Sequence, residues 1–201
     1  DDNGLVLPPR IAPTQAVVIP VAAHKPGVLE AAASLRDRLN AAGVRTKMDD
    51  SDNSPGWKFA EYEMKGVPVR VEIGPKDMEK EQCVVARRDT GEKVTVALAD
   101  LESAVKALLD QIHDNLYAMA LKNREDNTFD IKTPEEAKAI VEGKGGFLRS
   151  KWCGSLECEL AMKERVGVSS RCMPLVQSGT EGTCPVCGRK CTTDIYWGVA
   201  Y

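Results

Sequence analysis

Apolar residues along the first part of the chain recur in two rhythms. Ala16 to Val21, AVVIPV, is a continuous apolar run suited to a buried strand. Pro26 to Ala42 instead places Val28, Leu29, Ala32, Leu35 and Leu39 at helical spacing, and Gly43 closes that helix. Val44 to Met48 predicts a second strand. Ser54 and Pro55 then supply an N-cap and a first-turn proline for a short helix that stops at Gly66. The run Val67-Pro68-Val69-Arg70-Val71-Glu72-Ile73 alternates strictly and ends at Gly74-Pro75. It predicts a half-buried strand with Val67, Val69, Val71 and Ile73 on one face and Arg70 and Glu72 on the other. Gln82 to Arg88 and Lys93 to Leu98 form two more predicted strands, joined through the turn Asp89-Thr90-Gly91-Glu92. From about Asp100 to Lys122, Leu101, Val105, Leu108, Leu109, Ile112, Leu116 and Met119 share one face of a long helix.

Beyond it the pattern weakens. Asn123 to Thr133 is polar and reads as a connection, Thr133-Pro134-Glu135-Glu136 opens another helix, and Lys144-Gly145-Gly146 breaks the chain again. The remainder is rich in cysteine and poor in apolar periodicity, as expected where a metal substitutes for a large core. Alternating strands and helices place the first part in the α/β class.

Composition narrows the functional classes. Twenty-seven basic and thirty acidic residues give the 201-residue chain a net charge of −3, which argues against coating nucleic acid by bulk electrostatics but leaves room for a few well-placed contacts. No apolar run reaches the ~18 residues a membrane span needs. The start DDNGLVLPPR lacks both an initiator Met and a signal peptide, which suggests a piece of a longer protein. Seven cysteines, an odd number without a secretory signal, point to a reducing, cytoplasmic setting and to metal binding or burial.

Two cysteine pairs carry the sharpest chemistry. Cys153 and Cys158 form one pair, and Cys184-Pro185-Val186-Cys187, followed by Gly188, the other. Two short loops that each present two thiolates satisfy tetrahedral zinc, and four cysteines leave no open position for water, so such a zinc is structural. The competing reading, a thiol redox pair at Cys184 and Cys187, suffers because Gly188-Arg189-Lys190 leads into a predicted strand from Thr192 to Val199, whereas redox pairs sit at helix N-termini. Cys172 and Cys191 are alternative ligands, and Cys83 reads as an inert core thiol.

Other catalytic signatures are missing: there is no glycine-rich phosphate loop, no HExxH and no GxSxG, and His24 and His113 stand far apart. What remains is a binding patch. Phe59 and Glu63 are one helical turn apart, Arg70 and Glu72 share a strand face, and Lys76 and Asp77 follow that strand. If the helix lies beside the polar face, an aromatic ring, carboxylates and cations converge in a kit suited to unpaired guanines. A half-solvated sheet face with surface ion pairs explains the same pattern.

The run SPGWKFAEYEMKGVPVRVEIGPKD, continued by VARRDTGEKV, closely resembles the anticodon-binding domain of the prolyl-tRNA synthetase family, of the archaeal and eukaryotic type with an added C-terminal zinc domain. The opening Asn3 to Pro13 looks like the segment leaving that family's catalytic domain, and the four cysteines and terminal Tyr201 resemble its tail. The resemblance implies a connector over residues 1–14, a class IIa anticodon-binding fold with a mixed five-stranded sheet and flanking helices over 15–122, and a small α+β zinc domain over 123–201. It implies Phe59 for stacking, Glu63 and Arg70 for one guanine of the proline anticodon, and Lys76 with Asp77 for the other. Lys58 would meet phosphate, Trp57 would pack, and Lys93 is a further candidate. Cys153, Cys158, Cys184 and Cys187 would hold a structural Zn2+, while ATP and Mg2+ would bind only in a catalytic domain absent from this chain. Expected partners are proline tRNA, that catalytic domain, which the Tyr201 carboxylate would approach, and a second copy dimerised through it. The remaining alternative is a non-catalytic, zinc-containing adaptor for RNA or protein.

Overall fold

A computed structural model of the chain describes residues 1–200 and divides it into two compact units, Asp1–Met119 and Ala120–Tyr201. In the first, β1 (Ala16–Pro20), β2 (Thr46–Met48), β3 (Val69–Ile73), β4 (Gln82–Arg87) and β5 (Lys93–Ala97) make a five-stranded sheet in the order β2-β1-β3-β4-β5. The first three strands run parallel, and the β3–β4 and β4–β5 pairs are antiparallel, so the sheet is mixed as expected.

Alternation along the strands creates two cores. Ala16, Val18, Val69, Val71, Ile73, Cys83 and Val85 point to one face, against Leu35 and Leu39 of α1 (Val28–Ala41) and Leu101, Val105, Leu109 and Ile112 of a long helix. Val17 and Ile19 point to the other, against Phe59 and Tyr62 of α2 (Pro55–Met64). Val67 also packs on this second face, so it does not extend the row of Val69, Val71 and Ile73: pairing of β3 begins only at Val69, after Pro68. The sheet is therefore covered on both sides, and α2 lies over the side toward which the polar residues of β3 turn.

Local chemistry sets the boundaries of α2. Ser54 Oγ accepts from the Trp57 N–H, Pro55 opens the first turn, and Gly66, at φ 70°, leaves the helix in a left-handed conformation that a side chain resists. A short helix absent from the sequence reading, α3 (Pro75–Glu79), starts directly after β3. The long helix, α4, runs over Leu101–Asp126, beyond the predicted end, and Met119 is exposed on it. Residues 1–14, expected as a connector, are hydrogen-bonded to the rest of the first unit. The Leu5 and Leu7 N–H groups donate to the Met64 and Gly66 carbonyls, and Arg45 donates to the Pro9 and Ala12 carbonyls.

The second unit contains β6 (Thr128–Asp130), α5 (Pro134–Glu142), β7 (Phe147–Trp152), α6 (Leu156–Val166), β8 (Val168–Cys172), β9 (Gly182–Thr183), β10 (Lys190–Cys191) and β11 (Thr193–Val199). Its main sheet has the order β6-β7-β11-β8, and β9 and β10 form a separate hairpin. The polar stretch expected as a connection thus supplies an edge strand. Nor is the unit without a core: Leu148, Met162, Ile195 and a fully buried Trp197 pack together, and the Trp197 indole donates to Ser150 Oγ at 2.9 Å. No helix among the described residues is long and apolar enough to cross a membrane.

Candidate nucleic-acid interface and metal centre

In the first unit the side chains of α2, β3 and β5 meet over the sheet. Arg70 is the hub. Its Nη1 donates to Glu63 Oε1 at 2.7 Å and its Nε to Glu72 Oε1 at 3.0 Å, while its guanidinium lies 4.0 Å from the centroid of the Phe59 ring. Lys93 of β5 approaches the same ring at 5.4 Å and reaches Glu72 at 3.1 Å. Two cations, two carboxylates and one aromatic ring therefore converge, with Arg70 largely buried and Glu63 and Lys93 open to solvent. Such an arrangement holds a planar guanidinium rigidly and leaves carboxylate acceptors and an ammonium donor at the surface. A cavity of about 310 Å3 opens beside it, bordered by Glu63, Arg70 and Lys93.

The other candidates are placed differently. Asp77 Oδ2 accepts from the Gly74 N–H at 3.0 Å and so caps α3, with Lys76 exposed beside it. Among the described residues no hydrogen bond or ion pair joins either of them to the Arg70 group. Lys58 is 2% exposed, its Nζ donating to the Asp49 carbonyl at 2.8 Å and lying 3.5 Å from the Asp49 carboxylate. It anchors α2 to the end of β2 and has no face for a phosphate, contrary to expectation. Tyr62 meets Asp49 as well, and burial together with that carboxylate pushes its phenol up to about 12. Trp57, expected to pack, is 50% exposed. Being two residues from Phe59, it stands on the opposite side of the helix.

Glu72, placed by alternation on one face with Arg70 but given no base to read, is the second carboxylate on the Arg70 guanidinium. Arg88 was missed. Its side chain is 7% exposed, yet nothing local marks it out, because its partners, Asp1 and the Glu63 carbonyl, lie far off in sequence.

In the second unit Cys153 follows β7, Cys158 sits in the first turn of α6, and Cys184 and Cys187 occupy the tip of the β9–β10 hairpin. All four sulfurs lie within 4.8 Å of one another, and those of Cys153 and Cys187 are 3.7 Å apart. Tetrahedral thiolates at ~2.3 Å from a zinc ion are ~3.8 Å from each other, so the donor set fits that ion. At the hairpin tip the Cys184 N–H donates to the Arg189 carbonyl and the Gly188 N–H to that of Cys184, with Gly188 at φ 69°. A hydrogen bond from the Arg189 N–H draws the Cys187 thiol down to about 7, whereas burial pushes Cys158 up to about 12. Cys191 and the exposed Cys172 fall outside the cluster, and Cys83 is buried in the first core, where burial raises it to about 11. Tyr201 lies outside the described residues.

Residues 15–108 match the family model described as the anticodon binding domain, and residues 134–201 the one described as prolyl-tRNA synthetase, C-terminal. Over its full 201 residues the chain is 53% identical to the proline–tRNA ligase of Clostridium botulinum strain 657, of which it covers 42%. It is 51% identical to that of Clostridium novyi strain NT and 48% identical to proline–tRNA ligase 2 of Bacillus cereus strain ATCC 10987, again covering 42% of each. All three relatives are bacterial proteins. The chain spans less than half the length of the curated relatives it matches.

Proposed function

We propose, from the premise that this chain belongs to the C-terminal regions of proline–tRNA ligases, that it recognises the proline anticodon for an enzyme whose amino-acid and ATP chemistry resides in its remaining part. The Arg70 constellation is the observation that carries this reading. Proline codons begin with CC, so the second and third anticodon bases are guanines. A guanine offers N1–H and N2–H donors to a carboxylate on its Watson–Crick edge and O6 and N7 acceptors to a cation. Glu63 supplies the acceptor, Arg70 and Phe59 form a stack on which a splayed base lies, and Lys93 answers the acceptors or a neighbouring phosphate. Lys76 and the free oxygen of Asp77, past the end of β3, serve the other guanine.

In the second unit the four cysteines hold Zn2+, which ties the hairpin tip to the start of α6 and supplies no reactive position. The full enzyme makes prolyl-tRNA with ATP and Mg2+ bound in its catalytic domain, acts as a dimer through that domain, and works in the cytoplasm.

Binding of a proline anticodon stem-loop, compared with loops carrying adenine at either guanine position, tests the reading. Each change weakens binding by about 1 to 3 kcal/mol. Glu63→Gln and Arg70→Ala abolish the discrimination at one position and leave it at the other. Equal binding of all loops by the unaltered chain refutes anticodon reading and favours a zinc-containing adaptor.

A further inference from the structure

Arg88 follows β4 and engages all three nitrogens of its guanidinium with two pieces of the first unit. Nε donates to the Glu63 carbonyl at 3.0 Å, Nη1 and Nη2 donate to the two oxygens of Asp1 at 2.8 and 2.6 Å, and Nη2 also reaches the Gly4 carbonyl at 3.4 Å. Glu63 closes α2, and the opening residues lie along that same last turn. The Leu5 N–H donates to the Met64 carbonyl at 3.0 Å, and a Cβ on Gly4, at φ 128°, would stand 2.4 Å from the Met64 Cα. Asp1, Asn3 and Arg88 border the same cavity as Glu63 and Arg70.

We propose that Arg88 is a positioning residue for base readout: it clamps the opening segment against the end of α2 and so fixes where Glu63 presents its carboxylate to the base. This rests on the anticodon reading above and adds to it the element that holds the reader in place. The guanidinium fork suits the task because it serves a main-chain carbonyl and a carboxylate at once, which a lysine ammonium on a flexible stem cannot do in the same geometry. At 7% exposure Arg88 is too enclosed to act as a phosphate contact itself.

The experiment compares the unaltered chain with Arg88→Ala, Arg88→Lys and Asp1→Asn, using the proline stem-loop and its two adenine-substituted forms at several salt concentrations. The unaltered chain discriminates by about 5- to 100-fold at each position. Arg88→Ala and Arg88→Lys reduce discrimination at the Glu63 position to under about threefold and leave the other position and the salt dependence unchanged, because no phosphate contact has been removed. Asp1→Asn, which weakens only the outer half of the clamp, gives an intermediate ratio. Circular dichroism confirms folding, and Arg88→Lys decides the matter if Arg88→Ala unfolds. Wild-type discrimination in the folded Arg88 variants overturns the clamp alone, and so does an equal loss for all loops with a shallower salt slope. Failure of the unaltered chain to discriminate overturns the anticodon reading and the clamp together.

Discussion

At the scale of single residues, burial decides which polar groups are free to act. Lys58 and Arg70 are both nearly enclosed, but Lys58 is consumed by Asp49 whereas Arg70 is held among partners that reach solvent. Sequence spacing placed both on the motif and could not separate them, because the Asp49 carbonyl comes from a loop nine positions earlier. Asp89 shows the same principle in a structural role. Its side chain is 0% exposed, accepts from Arg87 at 3.0 and 2.8 Å and from Asn115 at 2.7 Å, and thereby joins the hairpin turn to α4. Burial alone would raise its carboxyl, but the Arg87 and Asn115 hydrogen bonds prevail and hold it below the usual range. A carboxyl depressed in the folded state stabilises the fold above its unfolded value, near 3.9, and that contribution disappears as pH falls further toward the depressed value. Asp89→Ala strands a guanidinium, so it should cost about 3 to 5 kcal/mol at pH 7. Urea unfolding between pH 7 and pH 3 should show the deficit shrinking in acid; a deficit independent of pH would remove the carboxylate as its cause.

At the scale of elements, the chain was most legible where apolar period and end signals agree. α1, α2, β3 and the β4–β5 hairpin all appear close to where Gly43, Ser54-Pro55, Gly74-Pro75 and Asp89-Thr90-Gly91-Glu92 mark them. Several elements escaped notice: α6, over Leu156–Val166, buries Cys158, Met162 and Val166 at helical spacing inside a stretch that read as metal-held, and others are short or depend on distant partners. α3 spans Pro75–Glu79, and β6 spans Thr128–Asp130 and exists only by pairing with β7. Of the candidate site, the Phe59–Glu63 spacing and the outward side of β3 could be read, because both follow from helix and strand periods. The closing contribution of β5 does not follow from those periods, since it depends on the register that sets Lys93 opposite Ala86, and Lys93 entered as a candidate only through the family resemblance. The close of α2 offers a direct test of the element that carries Glu63. Gly66 sits at φ 70°, and an added Cβ would come 2.7 Å from the Leu5 Cβ. Gly66→Ala combines left-handed strain of about 1 kcal/mol with a collision against the opening segment. It should lower stability by about 2 kcal/mol or more and speed amide exchange at Leu5 and Leu7, whose carbonyl partners lie on that turn. Gly91→Ala, equally left-handed at φ 72° but with open space around it, should show the strain without the exchange effect.

At the scale of the whole molecule, the two units owe their stability to different things. The first has an apolar core on each face of its sheet, whereas the second combines the smaller core around Trp197 with a thiolate cluster. Without a metal, four sulfurs within 4.8 Å would have to be neutral thiols to avoid mutual repulsion, and thiols gain little from such proximity. A zinc ion bound there would turn that crowding into four bonds and would make the folding of the hairpin and the start of α6 dependent on it. Cys153→Ser should therefore reduce bound zinc from about one per chain to near zero. Chelation by EDTA should lower or abolish the unfolding transition of the second unit, followed by Trp197 fluorescence in a chain whose other tryptophans, Trp57 and Trp152, are replaced by Phe. The transition of the first unit, followed by amide exchange in β1 and β3, should remain, because no cysteine ligand belongs to its core. A Trp197 signal indifferent to both chelator and Cys153→Ser would mean that the aromatic core suffices and the cluster adds nothing to the fold.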